Sequence, residues 1–217
     1  MAGKLTATER REPILECESP EAWHAWLRKN HAKSAGVLLR IAKKGAASSL
    51  TYAEALDAAL AWGWIDSQKL SLDAAAFLQR MTPRKATSPW SKKNRERADA
   101  MIAEGLMEAP GLAEVDRARR NGAWERAYDG ARTADVPEDL AAALARDKRA
   151  KAFFEALDRA NRYAILWRVQ TAKKAATRAE RIARFVEMCA KHETIHPAGV
   201  SKSSPAKGPP KKASPKA

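Results

Sequence analysis

The sequence contains little cysteine: two residues in 217, Cys17 and Cys189. They lie far apart and form no C-x-x-C pair, which argues against a disulfide scaffold and against a zinc ribbon. Cys189 falls on an apolar helical stripe and is interpreted as a core residue, and the nearby His192 as a solvated helix end. This cysteine usage is typical of a protein in a reducing cytoplasm.

Long hydrophobic runs are also absent. The longest uncharged apolar run near the middle of the chain, Ala58–Ile65, is far too short to span a bilayer. Residues 1–16 have no apolar segment of the kind found in a secretory signal. We therefore expect a cytoplasmic protein without a membrane span.

Acidic residues are scarce relative to basic ones. The chain has 26 Asp and Glu against 40 Lys and Arg, a net charge of +14. Such a surplus favours nucleic acid or another polyanion as a partner. It also repels cationic peptides, so simple electrostatic capture of a cationic toxin is not expected.

The central part of the chain has the clearest local signals. Thr51 and Glu54 form a T-x-x-E capping box, which predicts a helix that ends at Gly63. The short apolar-rich runs Trp64–Lys69 and Phe77–Thr82 then predict a β-hairpin. Pro83 ends the second strand because it cannot donate a ladder hydrogen bond.

Two more strands and a further helix complete the prediction for the N-terminal half. Pro13–Glu18 and Val37–Ile41 are strand-like, and Ser91 is a predicted N-cap for a helix over Lys92–Glu104. The fold class is therefore α+β, with a small antiparallel sheet and packed helices in a module over residues 12–105.

The C-terminal half has only helical patterns. Residues 106–134 are predicted as a helical connector and residues 135–197 as an all-helical module. Thr177 and Glu180 match a second capping box, which predicts the start of the last helix. Residues 198–217 are Pro-, Lys-, Ser- and Ala-rich and are predicted to be a disordered basic tail.

Several motifs resemble one bacterial family. The runs TYAEALDAAL, GWIDSQ, LQRMTPRK and SPWSKKNRERA, and later QTAKKAATRAERIARFVEMCA with its ending IHP, are similar to the YdeI/OmpD-associated, or bacteriocin-protection, proteins. The resemblance covers most of residues 12–197, with an OmdA-like C-terminal module. It implies a part in survival of bacteriocins or antimicrobial peptides and offers no catalytic residues to carry over.

The candidate ligand site is the end of the second hairpin strand and the loop after it, Gln79–Lys85 with Ser88 and the start of the next helix, together with Asp66 on the partner strand. Guanidinium groups, an indole face and a helix N-terminus suit a phosphate or carboxylate. The residues proposed for this site are Asp66, Arg80, Arg84, Lys85, Trp90, Ser91 and Asn94. A structural interpretation stands beside it, in which Asp66 and Arg80 form a cross-strand ion pair and Trp90 fixes the loop to the core.

Residues 192–196, HETIH, match the H-E-x-x-H string of zinc hydrolases. That chemistry needs a continuous helix through both histidines and a third ligand. Pro197 disfavours helical geometry at His196, and no ligand-type side chain follows it. We predict neither a metal nor a cofactor, and no catalytic residues.

The tail is a separate candidate for nucleic-acid binding. Its unpaired lysines could displace counterions from phosphates, giving a slope of up to roughly −4.5 in log K against log salt. A tail that only solubilises the protein is the alternative. The five lysines concerned are Lys202, Lys207, Lys211, Lys212 and Lys216.

Three functions follow from the sequence. The first is a non-enzymatic protein that acts through binding in bacteriocin or antimicrobial-peptide protection, with a protein or polyanion as partner. The second is non-specific DNA binding through the basic surface and tail. The third is an anion receptor or enzyme centred on Arg80, Arg84 and Trp90. The pattern leaves the oligomeric state open.

Overall fold

The computed structural model describes residues 12–43 and 50–197. The chain divides into two compact units, Met1–Gly130 and Ala131–Ala217. The predicted disordered tail and its five lysines lie outside the described residues. Among the helices described, none is long and apolar enough to cross a bilayer.

The described part of the first unit contains four strands and four helices. They are β1 (Ile14–Leu15), α1 (Pro20–Asn30), β2 (Val37–Ala42), α2 (Tyr52–Ala61), β3 (Trp64–Ser71), β4 (Ala76–Pro83), α3 (Lys92–Ala103) and α4 (Ala109–Arg120). The described part of the second unit is helical. Its helices are α5 (Glu138–Ala145), α6 (Lys148–Ala156), α7 (Arg159–Gln170) and α8 (Ala175–Ala190).

The α+β class is confirmed, with one difference in the sheet. Its strand order is β1-β2-β4-β3, and β3 and β4 form the predicted antiparallel hairpin. Strand β1 pairs with β2 in parallel, so the sheet is mixed rather than purely antiparallel. The reason is that α1 connects these two strands, and a helical crossover returns the chain in the same direction.

One face of the sheet covers the main core of the first unit. Val37, Leu39 and Ile41 alternate along β2, and all three are fully buried with Trp23 of α1. Leu38 lies on the opposite face in a small separate cluster. The alternation predicted for this strand is therefore confirmed.

Local capping fixes the helices on either side of the hairpin. The Thr51–Glu54 capping box is present at the start of α2. At the start of α3, the Ser91 hydroxyl accepts a hydrogen bond from the Asn94 backbone N–H at 3.1 Å. Both predicted caps are confirmed, and the loop between β4 and α3 is thereby held at each end.

Helix α4 belongs to the first unit, although its sequence predicts a connector over residues 106–134. Val115 and Ala118 of α4, with Trp124 and Ala127 after it, are part of the main core. The unit ends at Gly130. A short amphipathic helix has no sequence signal that distinguishes a connector from a docked helix, because both need one apolar face.

The second unit buries an apolar stripe from each of its helices. Leu140, Phe154, Ile165 and Phe185 are among the residues of this core. Asp147 and Asp158 cap α6 and α7 through side-chain hydrogen bonds. The all-helical prediction for this half is confirmed for the described residues.

The predicted capping box at Thr177 is wrong. Helix α8 starts at Ala175 with Lys174 at the N-cap, so Thr177 lies within the first turn of the helix. The alanines before Thr177 have high helix propensity and carry the helix back past it.

The H-E-x-x-H string does not form a zinc-binding helix. Helix α8 ends at Ala190, and His192 adopts a left-handed φ of 58°. The backbone N–H of His196 donates to the Asn161 side-chain oxygen at 2.8 Å, so this segment closes the helical unit. Among the described residues, no group of three His, Cys, Asp or Glu side chains could hold a metal ion.

Candidate anion site beside strand β4

The candidate site lies where β4 ends and the chain turns toward α3. The backbone N–H of Arg84 donates to the Gly63 carbonyl at 3.0 Å, which ties the site to the start of the hairpin. At the other end of the loop, Trp90 and Lys92 exchange backbone hydrogen bonds with Tyr128, each of 2.9 Å. The backbone that carries Arg84 and Trp90 is therefore fixed on both sides.

Arg84 is a buried arginine with only 6% of its surface exposed. Its guanidinium carbon lies 3.5 Å from the centre of the Trp90 ring, a close cation–π contact. One terminal nitrogen, Nη1, donates to the Pro89 carbonyl at a long 3.5 Å. The other two nitrogens, Nε and Nη2, are buried and have no hydrogen-bond partner among the described residues.

Burial lowers the pKa of Arg84 to about 10, while the nearby Glu114 carboxylate acts in the opposite direction. Arg84 therefore keeps its charge at neutral pH. A buried charged donor without a partner costs about 1–3 kcal/mol or more. An anion that accepted hydrogen bonds from Nε and Nη2 would remove this free-energy cost.

Side chains from α4 form the opposite wall of this cleft. Glu114 pairs with Arg117 one turn later on the helix, and Asn121 lies one further turn along. Lys85 and Ser88 line the loop side. Hydrogen-bond donors therefore outnumber acceptors, with Glu114 as the one carboxylate among the described lining residues.

The Glu114 carboxylate would compete with a bound anion for the arginines of the cleft. Burial raises the pKa of Glu114, and Arg117 and Arg84 act against that rise. The cleft has no room for a water molecule in this conformation. An anion would therefore need the rim side chains, Lys85 and Arg117, to move outward before it could reach Arg84.

The structure brings together three of the residues proposed from sequence and separates the others. Arg84, Lys85 and Trp90 line the cleft, and Ser91 and Asn94 are engaged in the cap of α3. Arg80 binds the Glu12 carboxylate through Nε at 2.8 Å and through Nη2. It therefore belongs to the sheet edge near β1 rather than to this cleft.

Asp66 is placed by the hairpin register. It lies opposite Met81 rather than Arg80, and its carboxylate accepts a hydrogen bond from the Tyr52 hydroxyl at 2.6 Å. Neighbouring strand residues point to opposite faces, so Asp66 and Arg80 are on different sides of the sheet. Asp66 contributes to the Arg84 site through its charge alone.

The residues that sequence reasoning missed are those of α4. Glu114, Arg117 and Asn121 recur at spacings of three and four, which places them on one helical face. That spacing was readable from the sequence. The docking of this face against a loop that precedes it by some thirty residues was not.

By fold, this chain is an α+β unit followed by an all-helical unit. Residues 133–192 match the model of the family described as "Bacteriocin-protection, YdeI or OmpD-Associated". The helical unit is therefore similar to that family over this segment, which supports the resemblance there. Residues 15–114 match a separate model, a domain of unknown function (DUF8412). No curated protein and no solved structure matches the chain significantly.

Proposed function

We propose that this chain is a binding protein for a small oxyanion, a phosphate or carboxylate group, held by Arg84. The observation that carries the proposal is the buried guanidinium with Nε and Nη2 unpartnered among the described residues. These two nitrogens form one edge of the guanidinium, and their N–H bonds run side by side. That edge is the one that binds carboxylate or phosphate in a bidentate manner.

The surroundings of Arg84 support an anion over a neutral ligand. Trp90 covers one face of the guanidinium, so a ligand approaches in its plane. Arg117, Lys85 and the Asn121 amide add donors around the same cleft. Arg84 itself is buried, so an anion that reached it would bind more strongly than at the exposed Lys85 or Asn121, because the local dielectric constant is low.

The test measures the binding of inorganic phosphate to the purified chain by calorimetry and thermal shift at constant ionic strength. The calorimetric binding of phosphate should saturate, and phosphate should stabilise the wild type by about 2.7 kcal/mol at 100 times Kd. Arg84→Met, which keeps an apolar contact with Trp90, should lose this response. Arg84→Lys should lose most of it, because lysine lacks the bidentate edge.

Arg120→Ala is the matched control. Arg120 is exposed, lies on the same helix as Arg117 and does not line the cleft. This variant should bind phosphate like the wild type. A folded Arg84→Met variant with an unchanged response would overturn the proposal.

A non-enzymatic role is part of the same proposal. Both cysteines are free, and burial raises the pKa of Cys17 and raises that of Cys189 to about 11. Neither thiol is therefore ionised at neutral pH, and an ionised thiolate is what a cysteine nucleophile requires. Two free cysteines also support the cytoplasm as the proposed compartment.

We further propose a part in protection from bacteriocins, on the description of the family that residues 133–192 match. The net charge of +14 makes capture of a cationic toxin unfavourable. Protection would then act through an anionic ligand inside the cell. Cells that express the chain should survive a bacteriocin challenge better than cells that express the Arg84→Met variant. Equal survival would show that protection does not depend on Arg84.

A further inference from the structure

A second cleft lies within the helical unit, between the end of α7, helix α8 and residues 193–195. Its volume is about 630 Å³. The wall contains three arginines, Arg168, Arg181 and Arg184, and the ring of Trp167. This cleft shares no lining residue with the Arg84 site and lies in the other unit.

The charge of the chain is unevenly divided between the described parts of the two units. Residues 12–43 and 50–130 hold 17 basic and 16 acidic residues, a net charge of +1. Residues 131–197 hold 14 basic and 9 acidic residues, a net charge of +5. The described part of the helical unit therefore has the stronger attraction for polyanions.

The three arginines of the cleft outnumber its one carboxylate, Glu193, and none of them forms an ion pair with it in the described chain. Arg168 donates to the Ala164 carbonyl at 2.8 Å, and Arg181 donates to the Arg168 carbonyl. These backbone contacts orient two guanidinium groups without cancelling their charge. Among residues 131–197, no carboxylate lies within ion-pair distance of any of the three, whereas Arg178 on the same helix is paired with Asp139.

The cleft also offers apolar surface beside the charges. Trp167 is half-buried, and Phe185, Met188 and Ile195 contribute to the lining. The described residues of this unit include no exposed large hydrophobic side chain. Insertion into a membrane would need such side chains, whereas a base can contact a partly exposed ring.

We propose that this cleft binds single-stranded nucleic acid, with a base against Trp167 and phosphates at the arginines. Aromatic rings between cationic side chains are the combination that single-strand binding uses, without sequence preference. Arg184 is exposed and has no partner in the described chain, so it is the arginine most available to a phosphate.

The experiment measures the anisotropy of a labelled twelve-residue oligothymidylate and of an abasic strand of the same length with the full chain. Both strands carry the same phosphates, so any lysine of the tail contributes equally to each. The wild type should prefer the strand with bases by about five- to 150-fold. Trp167→Ala should abolish that preference, and Trp167→Phe should keep most of it.

Arg184→Ala should weaken binding of both strands and reduce the salt slope by about 0.7. Arg159→Ala is the control, since it removes the same charge from an exposed position at the other end of α7. Arg84→Met should leave the preference intact, which separates this inference from the oxyanion proposal.

Equal affinity for the two strands would overturn the inference, as would a preference that survives in a folded Trp167→Ala variant. Vesicles with phosphatidylserine and an acidic peptide serve as competitors. If either binds more tightly than the oligonucleotide and depends on Trp167, the cleft has a different ligand and the inference fails.

Discussion

Gly111 shows how closely α4 approaches α2. A Cβ atom at this position would lie 2.7 Å from the Leu60 carbonyl oxygen and closer still to that of Ala61. These are backbone atoms, so no side chain can rotate away to make room. A glycine is therefore required for α4 to pack against α2 and to place Glu114 and Arg117 beside Arg84.

Gly111→Ala is expected to lower the free energy of unfolding by about 3 kcal/mol through overpacking. Gly105→Ala is the comparison, because a Cβ there meets nothing within 4 Å among the described residues. It should cost about 1 kcal/mol, from the positive φ of 70° at Gly105. Urea unfolding measures both variants, and a Gly111→Ala protein as stable as Gly105→Ala would contradict this packing.

Three residues show how far the sequence could predict the site. The choice of Arg84, Lys85 and Trp90 as neighbours followed from their position in one short loop, and they do line one cleft. Arg80, four residues earlier, was grouped with them although it lies within a strand. Its carboxylate partner, Glu12, is 68 residues away, and no local pattern identifies such a contact.

At the scale of helices, identical motifs had different outcomes. Thr51 has extended backbone geometry and the preceding Leu50 is not helical, so the Thr51 side chain caps α2. Thr177 follows two alanines that extend the helix, so the same T-x-x-E string lies inside α8. A capping box therefore predicts a helix start only where the preceding residues resist helical geometry.

The sheet shows the same limit for strands. The pattern of β2 predicted which side chains are buried, because its alternation is local. It could not predict that β1 shortens to two residues and pairs in parallel, because that depends on how α1 packs across the sheet. Pairing partners are long-range contacts, and one sequence contains no direct signal of them.

At the scale of the whole molecule, the net charge and its division between the described parts of the two units can be counted from the sequence, whereas the cations that line a cleft depend on the fold. The surplus of the described residues lies in the helical unit, whereas the first unit is close to neutral. The two units contain clefts of different kinds. One has a buried guanidinium with two nitrogens unpartnered among the described residues, in a nearly neutral unit, and the other has three partly or fully exposed arginines in a basic unit.

The response to acid is a property of carboxylates in both units. Hydrogen bonds or ion pairs lower the pKa of Glu54 and Asp73 in the first unit and of Asp139 and Glu187 in the second. A carboxylate with a lowered pKa in the folded state stabilises the fold above its unfolded pKa, which is about 4. That stability is lost as the pH falls through the folded pKa.

The pH prediction is sharpest for Asp139, whose pKa is lowered mainly by the hydrogen bond from Arg178. The two side chains form a bidentate pair at 2.5 and 2.9 Å. Asp139→Asn should lower the free energy of unfolding at pH 7 by up to about 1 kcal/mol, because the pair is partly exposed. The difference from the wild type should shrink as the pH falls below the unfolded pKa of about 4, and it should vanish once the folded-state carboxyl is protonated and both proteins are neutral at this position. Urea unfolding across this range measures it, with Glu155→Gln as a control, since Glu155 is exposed and 4.0 Å from Lys151. A difference that stays constant with pH would show that Asp139 stabilises α5 by some means other than its charge.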